Sequence, residues 1–199
     1  MKVDRARFDQ GMTYDDFKAQ MTRNRERVEE NERRVDISPN DLAAFRGLPK
    51  PIHTLVLAED WCGDVIANLP VLARLARESG KLDVRVFLRD QNDDIMQGYL
   101  NQGQYKSIPV FVFFDGDFRE IGHWIERPAS VTALRAKRRA EIFRAHPEFG
   151  APDAPVDQLP EDVRARLSTE LQKVRDETTP FANAEGIREI RELVSRVAA

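Results

Sequence analysis

The chain has 199 residues, 31 basic and 34 acidic side chains, a net charge of −3 and a single cysteine. That length accommodates one well-packed domain plus appendages. The slight negative charge gives no footing for nucleic acid, one cysteine excludes an internal disulfide or thiol-rich metal cluster, and no apolar run approaches the ~20 residues of a membrane helix.

From the N-terminus, residues 13–34 read as one helix. Thr13 suits the cap and Asp15 and Asp16 the first turn, with Phe17, Met21 and Val28 as a sparse apolar stripe. Arg23 to Arg34 is almost all charge, which reads as a solvated face of paired charges, with a docking surface as the alternative. Ser38-Pro39-Asn40-Asp41 is a helix start, Leu42 and Phe45 give that helix an apolar side, and Gly47 ends it. Pro49 and Pro51 bracket the entry to a strand over Ile52 to Ala58. A helix over Val65 to Ser79, the short loop Gly80-Lys81 and a strand over Leu82 to Leu88 complete a β-α-β unit with parallel pairing. Asn92, Asp93 and Asp94 open a helix carrying Ile95, Met96, Tyr99 and Leu100. Val110 to Phe114 reads as a strand, Asp115-Gly116 as a hairpin turn, and Phe118 to Trp124 as the antiparallel partner.

A long helix begins at Pro128 or Ser130 and carries Val131, Leu134, Ile142 and Phe143. Its Lys137, Arg138 and Arg139 read as surface charge, with an anion-binding patch as the alternative. Gly150 to Pro160 holds three prolines and no periodicity, as a linker does. Two helical patterns follow, one on Val163, Leu167, Leu171 and Val174, the other on Ile187, Ile190, Val194 and Val197, separated at Thr179-Pro180. Their apolar stripes need cover, either from the main domain or from a second copy. The expected organisation is an N-terminal helical extension (1–50), a central domain (51–149), and a linker with a two-helix tail (150–199).

The chemistry centres on Leu55-Val56-Leu57-Ala58-Glu59-Asp60-Trp61-Cys62-Gly63-Asp64-Val65. Cys62 falls where a strand hands over to a helix, and the free N–H groups at a helix start favour a thiolate. Glu59, Asp60 and Asp64 oppose that effect. The balance predicts a modestly activated thiol, with a pKa at or below that of a free cysteine. This turn, with Pro70 eight residues after Cys62 and the later Ser107-Ile108-Pro109-Val110 leading into an apolar strand, resembles the thioredoxin family over roughly residues 51–146. The resemblance implies an α/β, thioredoxin-like three-layer fold with a mixed central sheet, here with N-terminal and C-terminal helical extensions. It implies a cis Ile108-Pro109 bond facing Cys62, and a substrate groove formed by Trp61, Gly63, Asp64, Ile108 and Pro109.

Two departures from the family pattern bear on activity. The second cysteine expected three residues after the first is Val65, and the buried acid expected six residues before it is Val56. A single thiol can form a mixed disulfide but needs an external thiol for release, with glutathione or another low-molecular-weight thiol as co-substrate. The first functional reading is therefore a monothiol oxidoreductase with Cys62 as nucleophile, acting on a protein or small thiol or disulfide. The alternative is a non-catalytic thioredoxin-fold module that binds a protein, and a glutaredoxin-like role is a narrower third. No resident cofactor or metal is expected, since His53, His123 and His146 show no ligand spacing. No nucleic-acid or membrane partner is expected. The chain is expected as a monomer, or a homodimer through its helical extensions. The N-terminal residues lack the apolar core of a signal peptide and a lone thiol suits a reducing compartment, so a cytoplasmic setting is expected.

Overall fold

The structure is a computed structural model that describes residues 3–152 and 155–197, without the side chain of Val197. Its elements in chain order are α1 (Arg5–Phe8), α2 (Tyr14–Gln20), α3 (Arg25–Arg34), α4 (Pro39–Arg46), β1 (Ile52–Ala58), α5 (Gly63–Ser79), β2 (Leu82–Leu88), α6 (Asp93–Met96), β3 (Val110–Phe114), β4 (Glu120–Ile125), α7 (Ala129–Ala145) and α8 (Glu161–Val194). They divide into two compact units, one of residues 1–127 and 186–199, the other of residues 128–185. These limits differ from those drawn on the sequence.

The first unit is built on a four-stranded mixed sheet in the order β2-β1-β3-β4. β1 runs parallel to β2 and antiparallel to β3, and β4 returns antiparallel to β3. This is an α/β thioredoxin-like sheet with flanking helices. The register aligns Val86, Val56, Phe111 and Trp124 across the strands, so these side chains share one face. The last turns of α8 sit on that face: a Cβ on Gly122 would lie 3.4 Å from Leu193, and the Trp124 indole donates to Glu189 at 2.8 Å. Ile187, Ile190 and Val194 are as buried there as the strands themselves. The tail therefore completes this unit's core. On the outer edge of β2, Met12 and Val86 exchange two backbone hydrogen bonds of 2.9 and 2.8 Å, which covers part of an otherwise open strand. The close approach needs a glycine: a Cβ on Gly11 would lie 2.5 Å from the Phe87 ring.

Four expectations change. The single helix over 13–34 is two, α2 and α3, and it breaks where Thr22 and Arg23 turn their N–H groups onto the Asp60 carboxylate and Asn24 takes a left-handed φ of 59°. Thr13 does cap α2, in a capping box with Asp16. The helix expected through Leu100 stops at Met96, where tighter bonds such as Gly98 N–H to the Ile95 carbonyl take over and end it. The hairpin turn is longer than Asp115-Gly116. The Asp115 carboxylate accepts from the N–H groups of Asp117 and Arg119, Phe118 lies at φ 58°, and β4 starts only at Glu120. Phe118 holds that left-handed position while stacked on His53, with ring centres 4.6 Å apart.

The fourth change is that α8 is one helix, running through Thr179 and Pro180. In the turn that the proline deprives of an N–H, the hydroxyls of Thr178 and Thr179 donate to the carbonyls of Val174 and Arg175, at 2.7 and 2.8 Å. The second unit contains α7 and the earlier part of α8 around Phe143, Phe149 and Leu167, with Ile142, Val163 and Leu171 against them. Among its basic side chains, Arg138 pairs with Glu177 at 2.6 Å and Arg139 lies over the Phe143 ring. Within the expected linker, Val156–Gln158 forms a 3-10 turn, while residues 153 and 154 lie outside the described part of the chain.

Candidate functional site

β1 ends at Ala58, and the chain turns through Glu59, Asp60 and Trp61 to reach Cys62, the N-cap of α5 at φ −83° and ψ 120°. Two acids hold this turn. Glu59, buried, accepts the Asp90 N–H at 2.8 Å. The Asp60 carboxylate accepts from the Thr22 N–H (2.8 Å), the Thr22 hydroxyl (3.0 Å) and the Arg23 N–H (3.1 Å). The Asn24 and Asn31 amides donate to the carbonyls of Asp60 and Ile66, both at 2.9 Å. The N-terminal extension thus grips the turn and the start of α5.

The Ile108–Pro109 bond is cis, and the half-buried Cys62 thiol donates to the Ile108 carbonyl at 3.4 Å. Burial pushes the thiol above its ordinary pKa, and the Asp64 and Glu126 carboxylates push the same way. The N–H groups of Val65 and Asp64 act against them, but neither closes a capping hydrogen bond to the sulfur. The expectation of a thiol at or below the free-cysteine value is therefore corrected. The helix start is present, and desolvation outweighs it. Burial also raises the Glu59 carboxyl, despite the Asp90 N–H.

Of the residues that the resemblance assigns to a groove, Ile108 and Pro109 form the cis bond beside this sulfur. Gly63 and Asp64 form the first turn of α5, and Ile108 is buried behind the cis bond. Trp61 is 44% exposed, with the Arg89 guanidinium 4.8 Å from its ring centre. Val65 and Val56, at the two family positions without their usual side chains, are both fully buried.

Four residues not singled out in the sequence complete the site. Arg127 binds Asp64 at 3.0 Å and also Glu126. The Asn101 amide donates to Glu126 at 3.1 Å and to Ser107 at 3.3 Å, and the Asn68 amide ties the carbonyls of Asp64 and Glu126. The Glu126 N–H donates to the Pro109 carbonyl at 2.8 Å. A ring of polar contacts thus runs from Cys62 through Ile108, Ser107, Asn101, Glu126 and Arg127 to Asp64. In the sequence Glu126-Arg127 is only a charged pair after a strand; it reaches the thiol because β4 pairs with the strand that follows Pro109. The histidines stay apart, against Phe118, Glu120 and Glu148. Among the described residues no three His, Cys, Asp or Glu side chains are grouped to hold a metal ion, and no helix is long and apolar enough to cross a membrane.

A mixed sheet whose first strand ends at a helix-capping cysteine, opposite a cis X-Pro bond, defines a thioredoxin-like protein. The chain belongs to the thioredoxin family, whose sequence profile, described as Thioredoxin, matches residues 11–140. Two solved structures share the fold. One is an HIV epitope scaffold, with a TM-score of 0.66 and 16% identity over 98% of this chain and 99% of its own. The other is a protein of unknown function from Pseudomonas aeruginosa, with a TM-score of 0.61 and 16% identity over 88% of this chain and 99% of its own. No curated protein matches.

Proposed function

We propose that this thioredoxin-family protein carries out monothiol exchange at Cys62. The observation that carries the reading is the half-buried sulfur of Cys62, the N-cap residue of α5, 3.4 Å from the carbonyl that precedes cis Pro109. The Cys62 thiolate attacks one sulfur of a disulfide, forming a mixed disulfide and releasing the other half as a thiolate. An external low-molecular-weight thiol then attacks the mixed disulfide and regenerates Cys62. Burial keeps the thiolate scarce at neutral pH, so exchange is slow there and quickens in mild alkali. Val65 supplies no resolving sulfur, so catalytic reduction of insulin-type disulfides is not expected.

The test is intact-mass spectrometry after challenge with oxidised glutathione at pH 7 and pH 9, on the wild type and Cys62→Ser. A single adduct, faster at pH 9, absent in Cys62→Ser and reversed by free thiol, supports the reading. An unmodified wild type at both pH values removes it. A second reading, a binding module without exchange chemistry, is favoured by the exposure of Trp61 beside a thiol that burial disfavours as an anion. It predicts no adduct together with quenching of Trp61 fluorescence by a bound partner.

A further inference from the structure

We propose that Arg89 is a positioning residue for Cys62: one guanidinium joins the turn that carries the thiol to the segment that carries the Ile108 carbonyl, and so keeps the sulfur against that carbonyl. This role rests on the exchange reading above and concerns its regulation, because the thiol must leave the carbonyl before it can meet a disulfide. Its basis is the topology of the sheet. β1 and β2 are parallel and end side by side, with Ala58 opposite Leu88, so the residue after β2 falls beside the turn after β1. Arg89 is that residue, the first of the 3-10 turn Arg89–Gln91.

Its guanidinium reaches in three directions. It lies 4.8 Å from the centre of the Trp61 ring, on the residue before Cys62. One terminal nitrogen donates to the Lys106 carbonyl at 3.2 Å, two residues before Ile108. Nε and the other terminal nitrogen donate to one carboxylate oxygen of Asp90, at 2.8 and 2.6 Å. Asp90 is fixed in turn, since its N–H donates to the buried Glu59 at 2.8 Å. Arg89 is therefore anchored at its base and touches the chain on both sides of the hydrogen bond from the Cys62 thiol to the Ile108 carbonyl. Only a planar fork of donors can lie over an indole while it holds a carbonyl and a carboxylate; the compact ammonium of a lysine cannot.

The experiment follows alkylation of Cys62 by iodoacetamide at pH 8, in 0 to 1 M urea, for the wild type, Arg89→Ala and Arg89→Lys. Arg89→Ala should react about fivefold faster than the wild type, as the loss of one modest contact implies. Loss of a positive charge would by itself disfavour the thiolate and slow the reaction, so a gain has the sign of position. The faster rate should be nearly flat across the urea range, since parting a thiol from one carbonyl exposes little surface. A rate that climbs steeply with urea would mean reaction through global unfolding and would overturn the positioning role. Arg89→Lys should react as fast as Arg89→Ala; a wild-type rate there would mean that a single ammonium suffices, and the bridge would fall. An Arg89→Ala rate equal to that of the wild type would overturn the role outright. Oxidised glutathione, applied to the same three proteins, separates this from the exchange reading. Equal alkylation rates beside a normal glutathione adduct remove the positioning role alone, whereas faster, urea-independent alkylation of both variants with no adduct in any protein supports positioning and removes exchange.

Discussion

The pH dependence of Cys62 alkylation is the most direct check on how the site balances its forces. An ordinary thiol near pKa ~8.5 is about 3% thiolate at pH 7. Cys62 should show less, because burial, Asp64 and Glu126 together outweigh the helix start. Iodoacetamide should therefore modify the folded protein more slowly at pH 7 than the same chain in urea, with the rate still climbing where the urea sample has levelled off. Asp64→Asn removes one carboxylate from the first turn of α5. A unit charge ~6 Å away, at an effective dielectric of ~40, is worth about 1.4 kcal/mol, or up to about tenfold in thiolate at neutral pH. Arg127, released from Asp64 but still held by Glu126, acts in the same direction. The variant should react up to tenfold faster at pH 7, with the gain shrinking in salt and vanishing at high pH. A wild-type profile that levels off below that of the urea-unfolded chain would refute the reasoning, since it would mean that the helix start, not burial, governs the sulfur.

Three further outcomes concern stability. Asp60→Ala removes three hydrogen bonds that join the N-terminal extension to the Cys62 turn and should cost about 1–3 kcal/mol in urea unfolding; a loss under ~0.5 kcal/mol would mean that the extension is merely laid alongside. Ile190→Ala, in the final turns of α8, should cost about 2–4 kcal/mol as a core truncation, and a surface-like cost would contradict the burial of this segment. Glu59→Gln tests a sign. The folded-state pKa of this carboxyl is raised, so its stabilising contribution is present below the ordinary carboxylate range and is lost as pH rises through the folded value. Gln keeps an acceptor for the Asp90 N–H without the buried charge, so at pH 7 the variant should equal the wild type or exceed it by up to ~1 kcal/mol, the advantage fading in acid; a variant clearly weaker at pH 7 would show that the charge is better solvated than its burial implies.

The strands and α5 were legible because each carries its own signal. β3 is an unbroken apolar run and so is β1 from Leu55 to Ala58, both buried on both faces, and α5 has three- and four-residue spacing up to Gly80, which caps it at φ 65°. Ser38 and Thr13 marked two helix starts by the same local chemistry that now holds them. The misread places are those where a distant partner decides. Nothing between Thr13 and Arg34 says that Asp60, 38 residues beyond Thr22, will take the N–H groups that a continuous helix would need. Pro180 signals a break, and the helix passes it because the last turns of α8 find a core to fill. Arg127 and Glu126 were invisible for a similar reason, since their role depends on the pairing of β3 with β4.

The two missing family groups and the raised thiol have one physical cause. A second cysteine and a buried acid would bring polar, ionisable atoms to the inner side of the turn. Val65 and Val56 fill both positions completely and bring none. Neither position therefore brings a polar group that could help to hold a thiolate, while burial penalises it and the Asp64 and Glu126 carboxylates push the same way. Val65→Ser, which places a hydroxyl at the position of the family's second cysteine, should raise the rate of Cys62 adduct formation with oxidised glutathione at pH 7. A rate unchanged from the wild type would show that the apolar side chain at this position is not what disfavours the thiolate.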